Sequence, residues 1–393
     1  MVRRVPIEKV LFLLLRAGVC GEPVDAEVID SLNADSLSEL YNISSTHDVA
    51  HILGAALSKC GKLGDDDCSK SFRGKAMLAM SRYERIHYDL QSICDALEQA
   101  QIPFIPLKGS VLRTYYPQPW MRTSCDIDIL VQPEMLGKAE TILEGTLKYT
   151  NRGRRDHDVS LFSPSGVHLE LHFDMLEDWY STGNAKTILN RVWEDAVPET
   201  GWCFRCRLSD ELFYFYHIAH MAKHFQAGGC GVRSFLDIWI MNHRMEFDQT
   251  ARRELLQQGG LLKFAQATEE LSEAWFSGKQ KMGDMLKQLQ DYILRAGLYG
   301  DSENRAALGQ VKNGGKIRYI LFRRIFLPYA YLKAEYPILE KKKWLMPIYQ
   351  VVRWCRVLKR KETIRRVAEL KVNAKVSDKD TAAVAKLLEY LGL

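Results

Sequence analysis

The chain has 393 residues and a formal net charge of +5, with 47% hydrophobic and 26% charged residues. This composition is typical of a folded soluble protein, and the length allows two or three domains of about 100–200 residues each. No apolar run approaches the roughly 20 residues that a membrane span needs. The most apolar segment, VLFLLLRAGV, is short, contains Arg16 and lacks a cleavage site, so it indicates a buried helix instead of a signal peptide.

The nine cysteines are scattered and odd in number, which favours reduced thiols in a cytoplasmic protein over a disulfide framework. Cys203 and Cys206 form the one close pair. A zinc site there is disfavoured because no second pair and no histidines lie beside it at ligand spacing.

The charge is unevenly distributed along the chain. Residues 312–371 contain 17 Lys or Arg against 4 Asp or Glu, which leaves the remainder of the chain acidic. A basic stretch of this kind suits an anionic partner such as nucleic acid or a membrane surface. Interleaved aromatic residues favour a helical surface that is buried on one side and solvated on the other over such a binding site.

The N-terminal region, residues 1–95, is predicted to be helical. IEKVLFLLLRAG and HDVAHILGAALSKCG have apolar residues at helical spacing, and each ends at a glycine. AMLAMSRYERIHYDLQSICDALEQAQ predicts a longer amphipathic helix that ends near residue 101. GDDDCSKS, which precedes this helix, is interpreted as a solvated loop in preference to a cation site.

Residues 96–180 show a different pattern. IPFIPLKGS predicts a strand, VLRTYYP a helix, CDIDILVQP a strand and MLGKAETILEGTLKY a helix, and VSLFSPSGVHLELHFDM predicts a hairpin. This order indicates a small mixed sheet with helices on one side. The predicted fold class is therefore α+β, with the sheet flanked by helical regions at both ends.

Residues 181–393 are predicted to be helical again, and basic from about residue 312. SDELFYFYHIAHMAKHF and SFLDIWIMNHRM form two helices that QAGGCG separates. Prolines at positions 328, 337 and 347 interrupt the later helices. DTAAVAKLLEYLGL predicts a short terminal helix, and no internal repeat is present.

Acidic side chains lie at alternate positions on two of the predicted strands. Asp126 and Asp128 share one face of the first strand, and Glu170 shares a face of the second with His168 and His172. If these strands are neighbours, the three carboxylates converge, and their natural counter-charge is Mg²⁺ or Mn²⁺. Two such ions suit phosphoryl or nucleotidyl transfer. The two histidines either contact a phosphate or the acceptor, or simply pack.

A strand-to-helix turn in front of these acids suits a phosphate group. Gly109 allows a close backbone approach, and the N-terminus of the following helix directs N–H groups towards an anion. Ser110 adds a hydroxyl and Lys108 a positive charge. Arg122 is a further candidate for binding phosphate or for holding the carboxylates.

The order Gly-Ser turn, Asp-x-Asp strand and later acidic strand resembles the polymerase-beta-like nucleotidyltransferase superfamily. IPFIPLKGSVLRTYYPQPWMRTSCDIDILV and HLELHF are similar to the uncharacterised bacterial nucleotidyltransferases found beside polysaccharide and peptide natural-product genes. The helical flanks HIAHMAKH, GVRSFLDI and YPILEKKKWLMPIYQVVRW are similar as well. The resemblance implies metal-coordinating roles for Asp126, Asp128 and Glu170, and contact of Gly109 and Ser110 with a triphosphate.

Other polar side chains leave alternatives open. His217, His220 and His224 share one helix face. We expect them to line a cleft or to pack in the core in preference to binding a metal. Arg233 and Asp237 lie four residues apart on one helix and either pair with each other or reach the active site.

The expected function is transfer of a nucleoside monophosphate from a nucleoside triphosphate (NTP) to an unidentified small-molecule, saccharide, peptide or protein acceptor, with release of pyrophosphate. Asp126 and Asp128 would hold two Mg²⁺ or Mn²⁺ ions, and Glu170 would complete the acceptor-side ion and help to deprotonate the nucleophile. One alternative is an RNA-directed transferase that uses the basic helices. The other is a non-catalytic nucleotide-sensing or antitoxin-like protein that keeps the fold.

Overall fold

The computed structural model of the chain describes residues 5–177, 183–278, 282–297, 300, 302–312, 326–358 and 377–393. Two parts of the predicted basic stretch, residues 313–325 and 359–376, lie outside the described residues. The described part has a mixed β-sheet between N-terminal and C-terminal helices, which confirms the predicted α+β class.

The helices before the sheet are α1 (Ile7–Leu15), α2 (Ala26–Asp30), α3 (Ala34–Thr46), α4 (Ala50–Lys59) and α5 (Asp67–Gln99). A turn of π-helix continues α1 from Arg16 to Cys20. Helix α5 begins inside the stretch that was predicted to be a loop, so that loop prediction was too long. The reason is an N-cap, because the Asp66 side chain accepts a hydrogen bond from the backbone N–H of Ser69.

The central elements follow the predicted order of strand, helix, strand, helix and hairpin. They are β1 (Phe104–Pro106), α6 (Gly109–Leu112), β2 (Asp126–Val131), α7 (Leu136–Gly145), β3 (Thr150–Arg154), β4 (Asp158–Phe162) and β5 (His168–His172). Strand β3 was not predicted, because all its residues are exposed and it shows no alternation. The sheet order is β1-β2-β5-β4-β3, with β2 and β5 parallel and the other pairs antiparallel.

After the sheet the described chain is mainly helical. Its elements are α8 (Ala185–Leu189), α9 (Val192–Asp195), β6 (Val197–Pro198), β7 (Cys206–Arg207), α10 (Asp210–Gln226), α11 (Val232–Arg244), α12 (Gln249–Gln258), α13 (Leu262–Phe276), α14 (Asp284–Ala296), α15 (Ser302–Lys312), α16 (Tyr329–Glu335), α17 (Ile338–Lys341), α18 (Met346–Leu358) and α19 (Asp378–Leu391). Single 3₁₀ turns cover Arg113–Tyr115, Pro119–Met121, Pro133–Met135 and Lys343–Leu345. The glycine-rich break between α10 and α11 and the terminal helix are as predicted. The short β6–β7 ribbon was not predicted.

Two hydrophobic cores position the sheet. In the first, helices from both ends of the chain pack together, for example Leu11 of α1, Phe264 of α13 and Leu391 of α19. The second lies between the sheet and the helices α5 and α7. In the part of the chain that the structure describes, no helix combines the length and apolarity that crossing a membrane requires.

Strand β2 contributes to both cores through its alternating side chains. Ile127 and Ile129 are fully buried against α5 and α7 in the second core. Leu130, on the other face, belongs to the first core together with residues of α10. Asp126 and Asp128 share this face, so the packing of the isoleucines fixes the direction in which both carboxylates point.

Candidate active site

Three neighbouring strands present a regular array of polar side chains on one face of the sheet. Their Cα partners across β2, β5 and β4 form the rows Asp126–His168–Phe162, Asp128–Glu170–Ser160 and Leu130–His172–Asp158. Cross-strand partners project from the same face of a sheet. We refer to the five side chains of Asp126, Asp128, His168, Glu170 and His172 as the carboxylate face.

The carboxylate face offers two overlapping groups of metal-binding atoms. One ligand atom each from Asp126, His168 and Glu170 lie within 4.8 Å of one another, and the same is true of Asp128, Glu170 and His172. Glu170 belongs to both groups. The chemistry of these donors fits divalent cations, and the geometry allows two positions that share one carboxylate.

Asp128 is the buried centre of the face. Lys108 Nζ lies 2.6 Å from Asp128 Oδ1, and His172 Nε2 lies 2.9 Å from the same oxygen. Burial would raise the pKa of Asp128, but the Lys108 ammonium and the hydrogen bond with His172 outweigh it and hold this pKa well below its usual range. The same carboxylate raises the pKa of Lys108 against the effect of burial. Asp128 is therefore ionised and paired.

For the other two carboxylates, Lys108 does not offset burial and the neighbouring negative charge. Burial, followed by the negative charge of Asp128, raises the pKa of both Asp126 and Glu170. Burial also lowers the pKa of His172 and so favours its neutral form. Arg155 Nη1 lies 3.5 Å from the Glu170 carboxylate, and the Arg155 side chain is 58% exposed. A cation between these acids would relieve their mutual repulsion.

The turn after β1 is tightly built. Lys108 has φ 45° and ψ −119°, a conformation that costs a non-glycine residue free energy. A Cβ atom at Gly109 would lie 3.2 Å from Ser124 Cβ, so only glycine fits without a shift. Arg113 donates to the Gly109 carbonyl and to Ser124 Oγ, both at 2.7 Å. The buried hydroxyl of Ser110 has no partner among the described residues, which suits an anionic oxygen.

Helix α10 carries a row of aromatic side chains. The Nε2 atoms of His220 and His224 lie 3.2 Å apart, and His217 Nε2 lies 3.4 Å from the Ser234 carbonyl oxygen. Burial lowers the pKa of all three histidines, in the case of His224 to about 4. They are therefore neutral at pH 7.

Tyr216 on the same helix was not predicted as a site residue. Its hydroxyl is buried without a hydrogen-bond partner among the described residues. Burial and the negative charges of Asp128 and Glu170 raise the pKa of this phenol against the opposing charge of Lys108, so the ring lies within electrostatic reach of the carboxylate face. The sequence signal is that Tyr216 precedes the histidine row by one residue, which alone does not indicate a site.

Arg122 pairs with a carboxylate outside the carboxylate face. Its Nε atom lies 2.7 Å and 2.9 Å from the two oxygens of Asp237, and the Tyr116 hydroxyl donates to the same carboxylate at 2.7 Å. Asp237 raises the pKa of Arg122 despite burial. The Arg122 guanidinium is therefore buried and paired, and its role in binding phosphate or in holding the carboxylates stays a prediction.

Arg233 and Asp237 direct their hydrogen bonds elsewhere than to the pair predicted along the helix. Arg233 Nη1 lies 2.7 Å from Asp48 Oδ2 and 3.1 Å from the Thr123 carbonyl oxygen. The Thr123 hydroxyl donates to Asp48 at 2.7 Å. These contacts form because the loop before β2 lies between α11 and the segment before α4. We refer to Asp48, Tyr116, Arg122, Thr123, Arg233 and Asp237 as the loop clamp.

Asp158 is a second residue that the sequence analysis missed. Its side chain is fully buried, and neither carboxylate oxygen has a hydrogen-bond partner among the described residues. Arg155 Nη1 lies 3.7 Å and His157 Nδ1 3.8 Å from the Asp158 carboxylate, beyond hydrogen-bond distance. A buried carboxylate without hydrogen bonds is costly, so its position beside the carboxylate face indicates a functional constraint.

The fold and the site together define a class of protein. A mixed sheet that presents Asp-x-Asp beside a third acid, next to a Lys-Gly-Ser turn, is the arrangement expected of a nucleotidyltransferase. The sequence model of the family described as uncharacterised nucleotidyltransferase matches residues 33–277, and the chain belongs to this family. No curated protein and no solved structure matches the chain significantly. The matched region begins just before α3 and ends just after α13, and so contains the whole carboxylate face.

Proposed function

We propose that the chain is a metal-dependent nucleotidyltransferase of the polymerase-beta-like type. It would transfer a nucleoside monophosphate from an NTP to an acceptor and release pyrophosphate. The observation that carries this proposal is the convergence of Asp126, Asp128 and Glu170 on one face of the sheet. Membership of the nucleotidyltransferase family supports it.

Asp126, Asp128 and Glu170 are the residues that would hold Mg²⁺ or Mn²⁺. Bound divalent ions would lower the pKa of the attacking hydroxyl and neutralise the charge of the triphosphate. Gly109 and Ser110 would contact the triphosphate through the close backbone approach and the unpartnered hydroxyl. These assignments agree with the strain and burial of the turn.

The reaction would proceed by in-line displacement at the α-phosphorus. The acceptor oxygen forms a new bond to this atom, and the bond to the β-phosphate oxygen breaks, so pyrophosphate leaves. Glu170, whose pKa is raised, would help to take the proton of the acceptor. The Lys108 ammonium, which contacts Asp128 from the turn between β1 and α6, would add positive charge near the triphosphate.

A transfer experiment tests the proposal. The full chain is incubated with each α-labelled NTP, Mg²⁺ or Mn²⁺ and a cell extract, and the small-molecule, RNA and protein fractions are then separated. We expect one fraction to acquire label while pyrophosphate is released. Label in the RNA fraction, with a steep dependence of binding on salt, would identify the RNA-directed alternative.

The matched control is the double variant Asp126→Asn/Asp128→Asn, which keeps side-chain size and removes both charges. We expect its label transfer to equal the blank without enzyme. If the wild-type chain transfers no label from any NTP, the proposal is wrong and a non-catalytic nucleotide-sensing or antitoxin-like role is favoured. If the double variant stays active, the assignment of the carboxylates is wrong.

A further inference from the structure

Each of the two ligand groups on the carboxylate face contains one imidazole. Asp126 is grouped with His168, Asp128 is grouped with His172, and Glu170 is common to both. This repetition follows from the parallel register of β2 and β5. The aspartates of β2 alternate with hydrophobic residues, so both carboxylates lie on the face that the polar side chains of β5 share. Each of the two ligand groups therefore offers both oxygen and nitrogen atoms to a metal ion.

We propose that His168 and His172 are metal ligands and that the site selects a divalent first-row transition ion such as Mn²⁺ over Mg²⁺. This inference rests on the proposed function and names the class of its cofactor. Imidazole nitrogen suits transition ions, whereas Mg²⁺ prefers oxygen ligands. Affinity for mixed nitrogen and oxygen sites also rises from Mn²⁺ along the first-row series.

The burial of the ligand group that contains Asp128 and His172 also supports selection of a transition ion over Mg²⁺. Asp128 is 3% exposed and His172 is 2% exposed, and His172 Nε2 lies 2.9 Å from Asp128 Oδ1 and 3.6 Å from Glu170 Oε2. Mg²⁺ dehydrates reluctantly and usually keeps several waters. The ligand group of Asp128, Glu170 and His172, of which Asp128 and His172 are buried, would leave fewer coordination positions to those waters and would provide a nitrogen ligand instead.

Both imidazole rings have surroundings that can orient them. His168 Nε2 lies 2.8 Å from Ser160 Oγ, and the ring stacks on Phe162 with centroids 4.6 Å apart. His172 has a buried Nδ1 without a partner among the described residues, and its Cα partner on β4 is Asp158, whose carboxylate also lacks one. A histidine ligand usually donates its second ring N–H to a carboxylate. Asp158 has the free acceptor capacity that this arrangement needs.

Electron spin echo envelope modulation of bound Mn²⁺ tests nitrogen ligation directly. The metal-stripped full-length chain is loaded with Mn²⁺, and the ¹⁴N modulation is recorded without any substrate. We expect ¹⁴N modulation typical of coordinated imidazole in the wild-type chain. We also expect Mg²⁺ to displace Mn²⁺ only at a concentration at least about tenfold higher.

Three variants assign the nitrogen atoms. His168→Gln and His172→Gln should each weaken the ¹⁴N modulation and lower the affinity for Mn²⁺ about tenfold, and the double variant should abolish the modulation. Their affinity for Mg²⁺ should change by less than about threefold. His243→Gln is the matched control, because His243 lies on α11 beside Trp239 and Glu273 and belongs to neither ligand group. Circular dichroism checks that each variant is folded.

The outcomes separate this inference from the proposed function. Mn²⁺ that binds through Asp126 and Asp128 without ¹⁴N modulation, or with modulation unchanged in the double histidine variant, would overturn the nitrogen ligands alone. Equal affinities for Mg²⁺ and Mn²⁺ would overturn the selectivity. Failure of any divalent ion to bind would contradict both this inference and the metal-dependent transfer.

Discussion

The carboxylate face and the loop clamp are two buried groups of charged residues in the same part of the protein, and they differ in how completely their charges are paired. In the loop clamp, the Asp237 carboxylate accepts from Arg122 and Tyr116, and the Asp48 carboxylate contacts Thr123 and Arg233. On the carboxylate face, Lys108 and His172 both contact Asp128, whereas burial and the charge of Asp128 raise the pKa of Asp126 and Glu170. The neighbouring Asp158 carboxylate has no hydrogen-bond partner among the described residues.

This difference indicates a structural role for the loop clamp and a functional role for the carboxylate face. Paired charges such as those of the loop clamp are stable without any ligand, so they serve to hold the loop that leads into β2. The excess of carboxylates and the unpartnered groups of Ser110, Asp158 and Tyr216 are costly in the isolated chain. They are explained if a cation and a polar ligand complete them. Four predictions test this contrast through stability, from the largest expected effect to the smallest.

Removing the central acid of the loop clamp should have the largest effect. Asp237→Ala leaves the Arg122 guanidinium buried and unpaired, which should lower the free energy of unfolding by about 3–5 kcal/mol. Urea unfolding measures the change. Asp284→Ala, at an exposed position, is the matched control with an expected effect below about 0.5 kcal/mol. A loss of less than about 1 kcal/mol for Asp237→Ala would contradict the structural role of the loop clamp.

Neutralising the paired aspartate of the carboxylate face should also destabilise the metal-free chain. Asp128→Asn leaves the Lys108 ammonium without its carboxylate and should cost about 2 kcal/mol at pH 7. The pKa of Asp128 is depressed in the folded chain, so its stabilising contribution is present above the unfolded pKa and disappears as the pH falls towards the folded pKa. Adding Lys108→Met should recover most of the loss. An unchanged loss in the double variant would contradict the pairing.

Neutralising either of the other two acids should have the opposite effect and stabilise the metal-free chain. Asp126→Asn and Glu170→Gln should each raise the stability of the metal-free chain by about 1 kcal/mol at pH 8 while abolishing transfer. The pKa of each carboxyl is raised in the folded chain, so the penalty appears as the pH rises above the unfolded pKa and is complete above the folded pKa. The gain should therefore vanish near pH 3. If both substitutions destabilise the chain at pH 8, the contrast between the paired loop clamp and the unpaired acids is wrong.

The strained turn should give a difference no larger than that of the unpaired acids. Both Lys108→Gly and Lys108→Ala remove the ammonium, but only glycine adopts the φ of 45° without strain. We expect the glycine variant to be more stable than the alanine variant by about 1 kcal/mol in thermal or urea unfolding. Equal stabilities, or a more stable alanine variant, would mean that the turn is not strained in solution.

The alternation of side chains in the sequence predicted the carboxylate face well. CDIDILV and HLELHF fix which residues share a face, and the buried isoleucines make a one-residue slip costly. The strand order then brings the two faces together, as predicted. The roles of Asp126, Asp128 and Glu170 in metal binding remain predictions, because they depend on a ligand and not on the fold.

The residues that the sequence analysis missed depend on contacts between distant parts of the chain. Asp158 gains its position because β4 pairs with β5, and Tyr216 because α10 packs over the sheet. Arg122 finds its partner on α11, more than one hundred residues away. No spacing rule in the sequence indicates such a pair, whereas the nearby Arg233 and Asp237 suggest a local one. Local pattern therefore predicts which face a residue occupies, but not its distant partner.

The most direct test of the site is a crystal of the full chain with Mn²⁺ and a non-hydrolysable NTP. The account predicts anomalous density for Mn²⁺ between the carboxylates of Asp126, Asp128 and Glu170, with the triphosphate against Gly109 and Ser110. Anomalous density elsewhere, or none at saturating Mn²⁺ and nucleotide, would contradict it.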